Sequence, residues 1–160
     1  MRLCHAAWLA LAAGALQCGA AMADDLTIKR WNPPGLSQPD GYSQVVTIVG
    51  DHKQILLGGK AGLRGDDTIP ASLEEQVKLT FDNIKLALAA EGAEPKDVVE
   101  IQVFVVDLPK LDPVNNPIYK GIRAFFPPGH KPVSMVIGVS ALAIPELLFE
   151  INVRAAVPIK

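Results

Sequence analysis

The sequence predicts an α+β domain in which two helices lie on one face of a mixed sheet, in the order β-β-α-β-α-β-β. Three observations lead there. One stretch, Leu73 to Glu91, has strong helical periodicity and its own start and stop signals. Several β-branched, apolar runs of strand length surround it, at Val45–Val49, Val98–Val106, His130–Val139 and Leu148–Val153. A second, shorter helical pattern between Val106 and Val133 repeats the helix-then-strand order of the first. Helices gathered on one face of a sheet make a two-layer domain, and the other sheet face then needs cover. Two helices cannot supply it, so self-association into a small ring is expected.

In chain order, Leu26 to Tyr42 is rich in turn formers, with Asn32-Pro33-Pro34-Gly35 and Gln38-Pro39-Asp40-Gly41, and reads as an irregular arm with a short strand at its start. Val45 to Val49 and Gln54 to Leu57 read as an antiparallel hairpin across Gly50-Asp51-His52. Gly58-Gly59-Lys60-Ala61-Gly62 then concentrates glycine where a strand ends, which fits either a bulge or the close approach of another group to the backbone.

Ser72-Leu73-Glu74-Glu75 matches the capping box, in which a serine hydroxyl and a glutamate three residues on satisfy each other's free amides. Val77, Phe81, Ile84 and Leu88 recur at spacings of four, three and four, one helical face, and Gly92 supplies the stop. Val98 to Val106 begins with alternation and ends continuously apolar, as a strand does beneath helices. After a proline-rich link, Ile118, Ile122, Phe125 and Phe126 mark the second helix, closed by Pro127-Pro128-Gly129. Two strands complete the domain.

The first 23 residues have one basic residue, Arg2, no acid, an apolar run from Ala6 to Leu16 and a small-x-small site at Ala21-Met22-Ala23. That is the layout of a secretory signal peptide cleaved after Ala23, and it predicts a periplasmic or secreted protein. The apolar run is shorter than the roughly 20 residues that span a bilayer. Residues 24–160 then form a single domain, and both cysteines, Cys4 and Cys18, leave with the leader. Loss of Arg2 leaves 14 basic against 17 acidic side chains, a net charge of −3, with no basic stripe. Nucleic acid and anionic membrane surfaces are therefore excluded as expected partners, leaving small-molecule chemistry, small-molecule binding or protein association.

No metal or cofactor is expected. His52 and His130, the histidines beyond the leader, are isolated and read as turn residues. Four candidates remain, each with a structural alternative. Tyr42 can donate a hydrogen bond into a site or close a strand end. Gly58 and Gly59 can admit a ligand to backbone amides or form a bulge. Ser134 can orient a ligand or serve its strand. Glu150 is a charge inside an otherwise apolar strand, where an unpaired carboxylate is costly; it is either a general acid/base that positions water or one half of an ion pair with Arg154.

The order of elements and several local strings resemble the RidA family, also called YjgF, of enamine/imine deaminases. Gly41-Tyr42-Ser43-Gln44 is similar to the family's Gly-Pro-Tyr-Ser-Gln, and Leu57-Gly58-Gly59-Lys60 stands where the family has a Ser-Gly-Gln turn. Glu75-Gln76, Asn83-Ile84-Lys85 and the strand Val98 to Leu108 match further. His130 to Val139 resembles the Pro-Ala-Arg-Ser strand, and Phe149-Glu150-Ile151-Asn152 the Val-Glu-Ile-Glu signature. The likeness runs from about Asn32 to Val157. It implies a chorismate-mutase-like fold, a homotrimer, and three small-molecule sites in clefts between subunits. In those sites an arginine clamps the substrate carboxylate and a glutamate positions water. Glu150 matches the glutamate and Tyr42 the pocket tyrosine, while Asn116 or Tyr119 is the counterpart of a helix-borne asparagine. Ser134 stands where the family has the arginine, and Gly58 where it has the turn serine. The resemblance thus implies an exported trimer that binds, and as an enzyme hydrolytically deaminates, a small imine or enamine. The alternatives are a non-catalytic small-molecule-binding or holdase-like trimer and a purely structural one.

Overall fold

The computed structural model of the chain describes residues 25–112 and 114–159. The expected leader and its cleavage site lie outside the described residues. Strands β1 (Thr27–Trp31), β2 (Val45–Val49) and β3 (His52–Ala61) precede helix α1 (Leu73–Ala90). Strand β4 (Val98–Val106), helix α2 (Pro117–Phe125), and strands β5 (Val133–Val139) and β6 (Phe149–Pro158) follow.

The main sheet has four strands in the order β3-β6-β4-β5. Strand β6 is antiparallel to both neighbours, and β4 and β5 run parallel. The last strand of the chain is thus inserted between β3 and β4, and α1 and α2 each carry the chain between strands of like direction. This is a split βαβ arrangement with two helices on a mixed sheet, the expected α+β class.

Alternation decides which side chains meet the helices, because successive residues of a strand point to opposite faces. Phe149, Ile151, Val153 and Ala155 of β6 and Ile101, Val103 and Val105 of β4 are buried beneath α1 and α2, with Ile84, Leu88 and Ile118 closing the core from the helical side. Phe81 joins the layers, its ring 4.9 Å from that of Phe125 and 6.4 Å from that of Phe149. Glu150, Asn152 and Arg154, together with Glu100 and Gln102, occupy the alternate positions on the open face.

Helix α1 starts where the sequence places it, with the Ser72 hydroxyl accepting the Glu75 amide at 3.2 Å. It ends at Gly92, whose φ of +72° is the left-handed conformation glycine adopts at low cost. The buried Gln76 acts as a staple: its amide nitrogen donates to the carbonyls of Pro70 and Glu146, both at 2.8 Å, and its oxygen accepts the Leu148 amide at 2.9 Å. It holds the loops before α1 and before β6 to one point. Gly62 lies against the α1 backbone, where an added Cβ would come within 2.7 Å of the Gln76 Cα.

Two expectations are corrected. The hairpin of β2 with β3 is not formed: β2 pairs antiparallel with β1, Thr27 opposite Val49 and Trp31 opposite Val45. A β-branched run fixes a strand without naming its partner, and the turn-rich arm brings β1 back alongside β2. His52 is not a turn residue, because β3 begins there, opposite Pro158. Strand β3 also continues through the glycines to Ala61, with a bulge between Leu57 and Lys60. The β1-β2 ribbon is fastened where β4 and β5 begin. Ser43 donates its amide to Pro132 O at 3.1 Å and its hydroxyl to Lys131 O at 2.7 Å.

Candidate functional site

Glu150 sits on β6 opposite Phe104 of β4 on one side and Ala61 of β3 on the other. Being between Phe149 and Ile151, both fully buried, it points to the open face. The bulge at Gly58 and Gly59 brings backbone beneath it: a Cβ built on Gly59 would fall on Glu150 Oε1, with Cδ 2.6 Å away. The glycine therefore leaves the space that the carboxylate fills. Among the described residues no hydrogen bond or ion pair reaches that carboxylate, although it is half-buried.

The ion pair with Arg154 is not formed. Four residues along a strand separate the two by roughly 13 Å, and Arg154 instead meets Glu100, Nη1 to Oε2 at 3.3 Å. Gln102 donates to the other oxygen of Glu100 at 2.9 Å. These groups, with Leu56, Gly58 and Asn152, line a cavity of about 210 Å³ on the open face, beside Glu150 rather than around it. Glu100, Gln102 and Arg154 are the polar residues of this cavity that sequence reading missed as a group. The signal was present in the alternation of Glu100 and Gln102 with Ile101 and Val103, but the face it marks is known only once β6 is placed beside β4.

The other candidates lie elsewhere in the chain. Ser134 pairs with Ile101 on the far side of β4 from Glu150, and Val136, two residues on, packs into the core. Ser134 is thus directed to the helical face, while Met135 takes the open-face position. Glu150 and Ser134 are three residues apart in register and two strands apart, roughly 14 Å by strand geometry, on opposite faces. Tyr42, about one-third exposed, precedes Ser43, which is anchored to Lys131 and Pro132 just before β5. Asn116 is buried and caps α2: its oxygen accepts the Tyr119 amide at 3.0 Å and its nitrogen donates to Asp112 O at 2.7 Å. Both sides of that amide serve the helix start. Tyr119 is in the first turn of the same helix, half-buried. Within one chain, then, Gly58, Gly59 and Glu150 come together, and Tyr42, Ser134, Asn116 and Tyr119 do not join them.

A second polar cluster occurs at the start of β4. His130 Nε2 lies 2.8 Å from Val98 O, and Arg30 Nη2 donates to the same carbonyl at 3.1 Å. The His130 ring stacks on Phe126 at 5.1 Å. Burial, then the neighbouring Arg30 charge, lowers its pKa below the ordinary 6.5. His130 thus ties the segment before β5 to the start of β4, and Arg30 ties β1 to the same carbonyl. Among the described residues no group of three or more His, Cys, Asp or Glu is arranged to hold a metal, and no helix is long and apolar enough to cross a membrane.

A split βαβ layer with two helices on one face and an unpaired carboxylate seated over a glycine bulge on the other defines the class: a two-layer α+β protein. Residues 36–157 match the family model described as Endoribonuclease L-PSP. The chain belongs to this family, the RidA/YjgF group. The RutC family protein YjgH of Escherichia coli K12 is 32% identical over 108 residues, covering 65% of this chain and 76% of that protein. A protein named 2-iminobutanoate/2-iminopropanoate deaminase from Dermatophagoides farinae is 26% identical over 97 residues, covering 59% and 73%. Among solved structures, YyfB of the conserved Rid family from Yersinia pestis, itself described as of unknown function, superposes with a TM-score of 0.72 at 29% identity. That match covers 81% of this chain and 98% of YyfB.

Proposed function

We propose that the protein is an exported RidA-type hydrolase of small imines or enamines that works in clefts between the subunits of a homotrimer. The observation that carries this reading is the Glu150 carboxylate, held over Gly59 without a partner of its own. An unpaired carboxylate on a rigid strand is free to accept a proton from water while that water attacks an imine carbon. The same group then returns the proton to the departing nitrogen. Backbone amides at Gly58 and Gly59 orient the bound molecule. Ser134 and Tyr42 serve a cleft completed by a second subunit, because in one chain they stand too far from Glu150 to share a substrate with it. Relatives named as imine deaminases support the same chemistry.

Glu150→Gln keeps the shape and removes the base. Its turnover of imines generated in solution is expected to fall about 10²- to 10⁴-fold, with trimer mass and melting temperature retained. Turnover unchanged from that of the parent protein would remove Glu150 from the mechanism. Export after cleavage at Ala23 predicts that the protein recovered outside the cytoplasm begins at Asp24. N-terminal sequencing that returns Met1 would count against it.

A further inference from the structure

Resting on the reading of Glu150 as the group that positions water, we infer that the imine this site takes carries no carboxylate. It is the protonated imine of a simple aldehyde or ketone, and the reaction that must supply it is the two-electron oxidation of a primary amine.

The charge of the open face carries this. The side chains of β3, β6, β4 and β5 that share this face with Glu150 include Leu56, Asn152, Gln102, Phe104, Met135 and Ile137, all uncharged. Its charged members are Glu150, Glu100 and Arg154. Arg154 is committed to Glu100 at 3.3 Å, so the face holds two carboxylates against one guanidinium and keeps a net charge of −1 at Glu150. Lysines that form ion pairs do so away from this face. Lys78 pairs with Asp82 on α1, Lys53 with Glu91 at the end of α1, Lys96 with Glu94 and Lys110 with Asp107 in the connections. Arg30 is turned onto the carbonyls of Lys96 and Val98.

An anionic substrate would therefore bring like charge to a half-buried carboxylate that no cation among the described residues of its own chain pairs with, which disfavours binding in a partly desolvated site. A cation is favoured there for the same reason. An imine protonated on nitrogen is such a cation and is also the form open to attack by water. The reaction is R2C=NH2⁺ + H2O → R2C=O + NH4⁺. A carbon–oxygen bond forms, the carbon–nitrogen bond breaks with its electron pair going to nitrogen, and Glu150 moves protons from water to the leaving ammonia. No oxidant or reductant enters at this step.

The test compares two imines made in place with the full-length protein present or absent. A flavin amine oxidase forms one from benzylamine, and an L-amino-acid oxidase forms the other from leucine. Decay of each is read by semicarbazide trapping. The acceleration is expected to be at least tenfold greater for the benzylamine imine. Equal acceleration, or the reverse ranking, overturns this inference and leaves the role of Glu150 standing; acceleration of neither overturns that role as well. Binding is checked apart from turnover. Benzylammonium should raise the melting temperature of the parent protein and not that of Glu150→Gln, since a ligand that binds only the folded form stabilises it. A larger rise with phenylacetate than with benzylammonium would overturn the inference.

Discussion

Gly59 and Glu150 form a pair in which one residue has no side chain so that the other can occupy its place. Gly59 has no positive φ, so alanine is conformationally acceptable there. What a methyl group meets is the far end of a flexible side chain, Oε1 and Cδ of Glu150, which can swing away. Gly59→Ala is therefore expected to change stability by no more than about 0.5 kcal/mol and yet to displace the carboxylate. Turnover of the benzylamine imine should fall tenfold or more while the thermal melt is nearly unchanged. A variant with full turnover would mean that the seat over the bulge is not where Glu150 works. Glu150 itself was legible in the sequence as a charge among core residues. Gly59 was legible as part of a bulge or a close approach, but its place beneath Glu150 was not, because the pairing that joins them depends on the register shift the bulge introduces.

At the level of elements, α1 was readable almost to the residue, since its cap, its apolar stripe and its terminal glycine are local features. The second helix was also legible, and its Gly121, a weak helix former by propensity, has a packing reason. A Cβ there would lie 2.5 Å from Val77 and 2.7 Å from Phe81, so glycine is what lets α2 settle on α1. The partner of β2 was not legible, because pairing is set by contacts distant in sequence. Nor was the role of Gln76, which appears in the sequence as one more polar residue of α1 and proves to be fully buried, with three side-chain hydrogen bonds. Gln76→Leu would leave two carbonyls and one amide without partners, at about 1–3 kcal/mol for each buried group left unsatisfied. The expected loss is about 3 kcal/mol or more, read as a lower urea midpoint at unchanged m-value. A loss below about 1 kcal/mol would show that water replaces the staple.

For the whole molecule, the decisive feature is that both helices cover the same face of the sheet. The opposite face carries the Glu100–Arg154 pair and the Glu150 carboxylate, and it also leaves Leu56 and Met135 exposed at 63% and 48%. Apolar side chains of this size on a sheet face call for cover, and the proposed trimer supplies it with two further copies of the chain. Met135→Glu places a carboxylate at that face. In the monomer it stays solvated and costs little; at a closed interface between subunits it is desolvated without a partner, three times in each trimer. Sedimentation is therefore expected to return one chain mass for Met135→Glu and three for the parent, with the circular dichroism of the two alike. Under the proposed cleft between subunits, turnover should vanish with the trimer. This sets Met135→Glu apart from Gly59→Ala, which should lose turnover and keep the trimer. A parent protein that sediments as a monomer and still hydrolyses imines would refute the shared cleft and leave the Glu150–Gly59 seat as a complete site within one chain.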